Sequence, residues 1–75
     1  MKRMKWNKNK GRKNNCLCEI EYDSIHKYFY FTICNNYYFF SSDMNDPMYT
    51  YNTKEECAIS CEAKVDELVK ERNNE

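Results

Sequence analysis

Thr53-Lys54-Glu55-Glu56-Cys57-Ala58-Ile59-Ser60-Cys61 sets two cysteines one helical turn apart, directly behind a helix-start signal. Thr53 followed three residues later by Glu56 is a capping box, in which each side chain satisfies an orphan backbone donor of the first turn. A helix is therefore predicted to begin near Lys54. On it Cys57 and Cys61 stand at i and i+4, so both thiols point from one face toward whatever packs beneath. Val65, Leu68 and Val69 extend that face, while Lys64, Asp66, Glu67, Lys70 and Glu71 cover the other, and the helix should fray near Asn73.

Moving toward the amino terminus, Tyr28-Phe29-Tyr30-Phe31-Thr32-Ile33 and Tyr37-Tyr38-Phe39-Phe40 are rich in the aromatic and β-branched residues that favour strands. They read as a β-hairpin bent at Asn35-Asn36, since asparagine tolerates the positive φ of tight hairpin turns. Residues 41–47, with Ser, Asp, Asn and Pro, read as a loop before Tyr49 and Tyr51 lead into the helix. The fold class is therefore a small disulfide-rich α+β domain, a twisted antiparallel hairpin with a carboxyl-terminal α-helix.

Five cysteines in 75 residues are dense for so short a chain. Cys16, Cys18, Cys34, Cys57 and Cys61 read as a disulfide framework in an oxidising compartment, the support that small domains commonly need. No apolar run reaches the length of a membrane-spanning helix. The amino terminus shows no apolar leader core, so a secreted form is expected to be a mature one.

Zero net charge hides a split. Lys2, Arg3, Lys5, Lys8, Lys10, Arg12 and Lys13 give residues 1–15 a charge of +7 without one acid, and the remainder carries −7. With little but Trp6 to bury, residues 1–15 are expected to be a disordered basic arm preceding a domain at 16–75. Such an arm is either a solvated tail or a contact for an anionic surface. Nucleic acid is not expected, because the acidic body repels phosphate and the aromatics between Tyr28 and Phe40 are what a small core and its rim use.

The hairpin and the cysteine-bearing helix together resemble a Kunitz domain, the fold of basic pancreatic trypsin inhibitor. The run from Tyr51 to Cys61 matches that family's closing signature, an aromatic, polar residues, an acidic pair and C-x3-C. Tyr28-Phe29-Tyr30 and Cys34-Asn35-Asn36-Tyr37-Tyr38-Phe39 match its central signature, and the 15 residues between Cys18 and Cys34 match its spacing of second and third cysteines. The resemblance covers residues 18–61. It implies a bridge from Cys34 to Cys57, closing a loop of about two dozen residues for roughly 3 kcal/mol on the entropy model. It also implies a bridge from Cys61 to Cys16 or Cys18. One cysteine is then left over, which invites a disulfide-linked dimer.

The chain departs from the family where the family does its work. Ser42 stands near the place of the fourth cysteine, no glycine follows Gly11, and Cys16 and Cys18 are only two residues apart. Either Cys18 is the second cysteine and the first is lost, or Cys16 or Cys18 is the first and the inhibitory loop is shortened. The family's hairpin also bends before its third cysteine, whereas Asn35-Asn36 follow Cys34 here.

By the resemblance, Leu17, Glu19 and Ile20 form the candidate inhibitory loop presented to a serine protease. With Cys18 as the second cysteine, Glu19 would enter the specificity pocket, where an acidic pocket repels it and an apolar one solvates it badly. With Cys16 in that role, Leu17 would enter and suit a chymotrypsin-like or elastase-like enzyme. The leading expectation is a secreted Kunitz-like member of the serine protease inhibitor family with a degenerate loop. The alternative is a toxin-like modulator of an ion channel or receptor. A minor third is an intracellular zinc module using cysteines and His26, although C-x-C and C-x3-C are not the usual C-x2-C knuckles. His26 is more simply a polar position beside Lys27. No residue arrangement supplies a catalytic cysteine with a base and an orienting group, so neither enzymatic activity nor a cofactor is expected.

Overall fold

The computed structural model describes residues 4–45 and 49–73. Five strands, β1 (Trp6–Asn7), β2 (Lys10–Lys13), β3 (Cys16–Asp23), β4 (Tyr28–Cys34) and β5 (Phe39–Ser41), form one antiparallel sheet in sequence order. They are followed by a one-turn helix α1 (Ser42–Asn45) and the long helix α2 (Lys54–Asn73). The α+β class, the β4/β5 hairpin and the carboxyl-terminal helix agree with the sequence reading.

Each connection has a local cause. Asn14 and Asn15, at φ 52° and 65°, join β2 to β3 in a two-residue turn that needs positive φ at both positions, which asparagine tolerates best after glycine. Between β3 and β4, Asp23 Oδ1 accepts the N–H groups of Ile25 and His26 at 2.9 and 3.0 Å, and Lys27 N–H returns to the Asp23 carbonyl at 2.7 Å. The Asn35-Asn36 turn is made differently from the expectation. Neither residue is among those at positive φ; Asn35 Oδ1 instead accepts the N–H groups of Tyr37 and Tyr38. At the start of α2, Thr53 Oγ1 accepts Glu56 N–H at 3.1 Å and donates to Glu56 Oε1 at 3.1 Å, so one arm of the capping box forms and the other closes on the hydroxyl.

Helix α2 packs on one face of β3 and β4. Strand alternation sends Cys16, Cys18 and Ile20 of β3 and Phe31 and Ile33 of β4 to that face, where Cys57, Ala58, Cys61 and Val65 of α2 meet them. Burying a side chain such as Phe31, Ile33 or Val65 contributes roughly 1.5–3 kcal/mol. Tyr51 closes one end: it bridges to Phe29 and stacks on Phe31 with centroids 6.1 Å apart.

Several expectations are corrected. The basic arm is not disordered over its described part, because residues 6–7 and 10–13 form β1 and β2 and Met4 is buried in the core. The physical reason is Gly11. It lies on the core face opposite Cys18, and a Cβ there would stand 2.5 Å from Met4 Sδ and 3.1 Å from Trp6 Cε3. The missing side chain is what lets Met4 and Trp6 lie across β2. Lys2 and Arg3 fall outside the described residues. The expected loop at 41–47 instead begins with the end of β5 and α1, its last two positions lying outside the described residues. Ser42 Oγ is the buried acceptor for Phe31 N–H at 3.1 Å.

Two substitutions test this construction by urea denaturation. Gly11→Ala should lower stability by about 1 kcal/mol, the low end of overpacking because Met4 is flexible, and should shift Trp6 emission. Thr53→Ala should cost about 1 kcal/mol without a fluorescence change in the folded state.

Candidate functional site

The cysteines sort into two environments. Cys16, Cys18, Cys57 and Cys61 are fully buried between sheet and helix, whereas Cys34 is exposed, and all five carry free thiols. Cys34 pairs across the sheet with Leu17 and Phe39, both exposed, and therefore lies on the face away from α2. The expected bridge to Cys57 is not made in this register. A one-residue slip of β4 would be needed to turn Cys34 inward, and it would expel Ile33 and Phe31 from the core. Among the five, Cys34 is thus the cysteine that stands outside the core.

Cys61 does meet one of its two expected partners. Its thiol and that of Cys18 interact within the same buried cluster, while Cys18 Sγ donates to the Cys16 carbonyl at 3.9 Å. Donation from Cys61 holds Cys18 below the ordinary thiol range, and the same bond with burial pushes Cys61 far above it. The two titrate as a pair, Cys18 first. Cys57 is pushed up to about 12 by burial. Cys16 Sγ lies 3.5 Å from Tyr38 Oη and accepts Asn35 Nδ2–H at 3.5 Å.

The candidate inhibitory loop is not a loop. Leu17, Glu19 and Ile20 lie inside β3, with Leu17 and Glu19 laddered to Arg12 and Lys10 on one side and to Cys34 and Thr32 on the other. Ile20 is buried, pairs with Phe31, and donates its N–H to the Asn9 carbonyl at 2.8 Å. Of the basic residues, Lys5, Lys8, Lys10 and Arg12 are exposed; Lys10 is 3.9 Å from Glu19, and Lys13 pairs with Asp66 at 2.9 Å. His26 Nδ1 sits 3.0 Å from Asp23 Oδ2 in the β3/β4 turn. Among the described residues no group of three or more His, Cys, Asp or Glu could hold a metal ion.

At the end of the sheet nearest the Asn14-Asn15 and Asn35-Asn36 turns lies an open cleft of about 730 Å³. Arg12, Leu17, Cys34, Asn36, Tyr37 and Val69 are among its walls. Tyr37 is 67% exposed, and Phe39, 64% exposed, continues the apolar strip beyond Cys34. A cation, side-chain amides and an exposed aromatic thus surround one thiol.

Sequence reasoning missed Glu62. This acid is 4% exposed, and its carboxylate accepts the Met4 N–H and the Trp6 Nε1–H at 2.9 Å each. Its signal was weak but present: it adjoins Cys61 on the helix, one residue from the apolar stripe. Comparison with known proteins returns nothing, since no family model, curated protein or solved structure matches the chain.

The tyrosines give a pH test. Tyr38, in the cleft, is pushed up to about 12 by loss of solvent and then by its bond to Cys16; Tyr30 is pushed up to about 12 by desolvation and then by Glu21. The unfolded chain ionises tyrosine at about 10. The folded state therefore keeps this contribution below that pH and loses it as pH rises through about 12. Tyrosinate absorbance should show the last ionisations coinciding with alkaline unfolding, and Tyr38→Phe should move that midpoint upward.

Proposed function

We propose that this chain is a secreted, cysteine-stapled α+β module that acts by binding a protein target, an ion channel or receptor, and that it does not inhibit proteases in a substrate-like manner. The observation that carries this reading is the position of residues 17–20 in a central stretch of sheet. A substrate-like inhibitor must lend its backbone to the protease, and here β2 and β4 already occupy the backbone groups on both sides. Leu17 cannot fill a specificity pocket without unzipping the sheet.

Kinship with the Kunitz family remains the reading of the sequence pattern. It is supported by the turn at residues 24–27, which bends a hairpin ahead of Cys34, and by the packing of the C-x3-C helix on that hairpin. In an oxidising compartment Cys18 and Cys61 are the pair that closes. Cys34 is the thiol through which a second copy could be linked. The cleft with Tyr37 and the Leu17 and Phe39 strip is the proposed contact surface, and exposed Lys8 and Lys10 add attraction toward an anionic surface.

Disulfide mapping of secreted material should find Cys18 joined to Cys61 and Cys34 either alkylatable or linked between copies. In a panel of trypsin-like, chymotrypsin-like and elastase-like proteases, a stoichiometric excess should leave activity unchanged. Inhibition that disappears in Leu17→Gly would overturn this reading and restore the inhibitor. For the binding surface, Tyr37→Ala should weaken capture of solubilised channel or receptor targets about tenfold, a typical cost for an exposed aromatic anchor.

A further inference from the structure

We propose that the amino-terminal hairpin is a latched cover over a redox site, the Cys18/Cys61 pair, so that the disulfide opens or closes only when residues 4–6 lift from Glu62. This rests on the pairing of Cys18 with Cys61 put forward above and adds to it the control of access.

Both sulfurs have no exposed surface, yet disulfide exchange requires an incoming sulfur to touch one of them. Some wall must move. The wall formed by β3 and β4 is the middle of the sheet, and the wall formed by α2 is a helix of 20 residues. The wall formed by β1 is two residues at a sheet edge, paired among the described residues only with β2. Met4 belongs to the same buried cluster as Cys18 and Cys61, and its thioether lies over Gly11, the cross-strand partner of Cys18. Glu62, beside Cys61 on the helix, holds this segment at two points, the Met4 N–H and the Trp6 indole. A short edge segment held by a few polar contacts belongs to the low-stability end of a structure, the part that opens without global unfolding.

The chemistry balances with an oxidant of the glutathione disulfide class. Cys18, the member of the pair that ionises more readily, attacks one sulfur of the oxidant and releases one thiolate. Cys61 then attacks the mixed disulfide, forms the Cys18/Cys61 bond and releases the second thiolate. The two protons lost by the cysteines end on the two released thiols, and the two electrons reduce the oxidant's disulfide.

The test uses the reduced full chain with oxidised glutathione, quenched with an alkylating reagent and mapped by mass spectrometry. Cys57 is the internal reference, because it is equally buried and lies five residues from Glu62, in the first turn of α2. In Glu62→Gln an amide nitrogen replaces one acceptor oxygen, so one strap donor loses its partner. The expected result is formation of the Cys18/Cys61 bond about tenfold faster, the scale of one hydrogen bond to a carboxylate, with a red shift of Trp6 emission and an unchanged rate at Cys57. Thr53→Ala, destabilising away from the cover, should leave the rate of Cys18/Cys61 bond formation unchanged. Should Glu62→Gln fail to fold, the wild-type chain suffices: Cys18 reactivity should be nearly flat in low urea while that of Cys57 rises steeply.

Equal acceleration of Cys18, Cys61 and Cys57 in every variant, or parallel urea dependence of Cys18 and Cys57, would overturn the cover. Finding both cysteines reduced in secreted material would instead end the reading of an oxidised staple, and the cover would still be judged by these rates.

Discussion

The alternation of strand β3 is the constraint on which the rest of the molecule depends. Because successive side chains point to opposite faces, Cys16, Cys18 and Ile20 enter the core together, and Leu17 and Glu19 leave it together. Register then carries the consequence across the sheet: Leu17 opposite Cys34 fixes Cys34 outward, and Cys18 opposite Ile33 brings β4's apolar residues over the helix. The burial of Cys16 and Cys18 and the exposure of Cys34 follow from that single parity. So does the place of residues 17–20 inside the sheet, with β2 on one side and β4 on the other.

The amino-terminal segment is held by a second, polar device. A carboxylate buried at Glu62 would be costly in an apolar core without donors, and Met4 and Trp6 supply two of them. Gly11 makes that geometry possible by leaving room for both side chains above β2. A chain of this size has few apolar residues to spare, and recruiting Met4 and the flank of Trp6 enlarges a core that β3, β4 and α2 alone would leave open at one edge. The basic residues on the outer face of the same strands remain in water, which reconciles a strongly charged segment with a place in the sheet.

Much of this was legible in advance, for physical reasons that differ by element. Helix α2 was readable because its capping threonine, its acidic first turn and its apolar stripe are local features within four residues of one another. The β4/β5 hairpin was readable from aromatic and β-branched runs, although its turn uses an asparagine side-chain acceptor and not positive φ. Strands β1 and β2 were not readable: Lys10-Gly11-Arg12-Lys13 has the composition of a solvated tail, and its order comes from Glu62, more than fifty residues away. Strand β3 was masked by the family pattern, which assigned residues 17–20 to a loop.

By itself, the sequence determined the α+β class, the capped carboxyl-terminal helix with Cys57 and Cys61 on its inner face, the aromatic hairpin and the separation of charge. These depend on propensities and periodicities read over short windows. Only the tertiary structure decided which cysteine is left outside, that Cys18 and not Cys16 meets Cys61, that the basic segment joins the sheet, and that Glu62 anchors it. Each of those is a question of register or of contact between residues distant in the chain, and a one-residue shift in pairing, invisible to composition and spacing, reverses the answer.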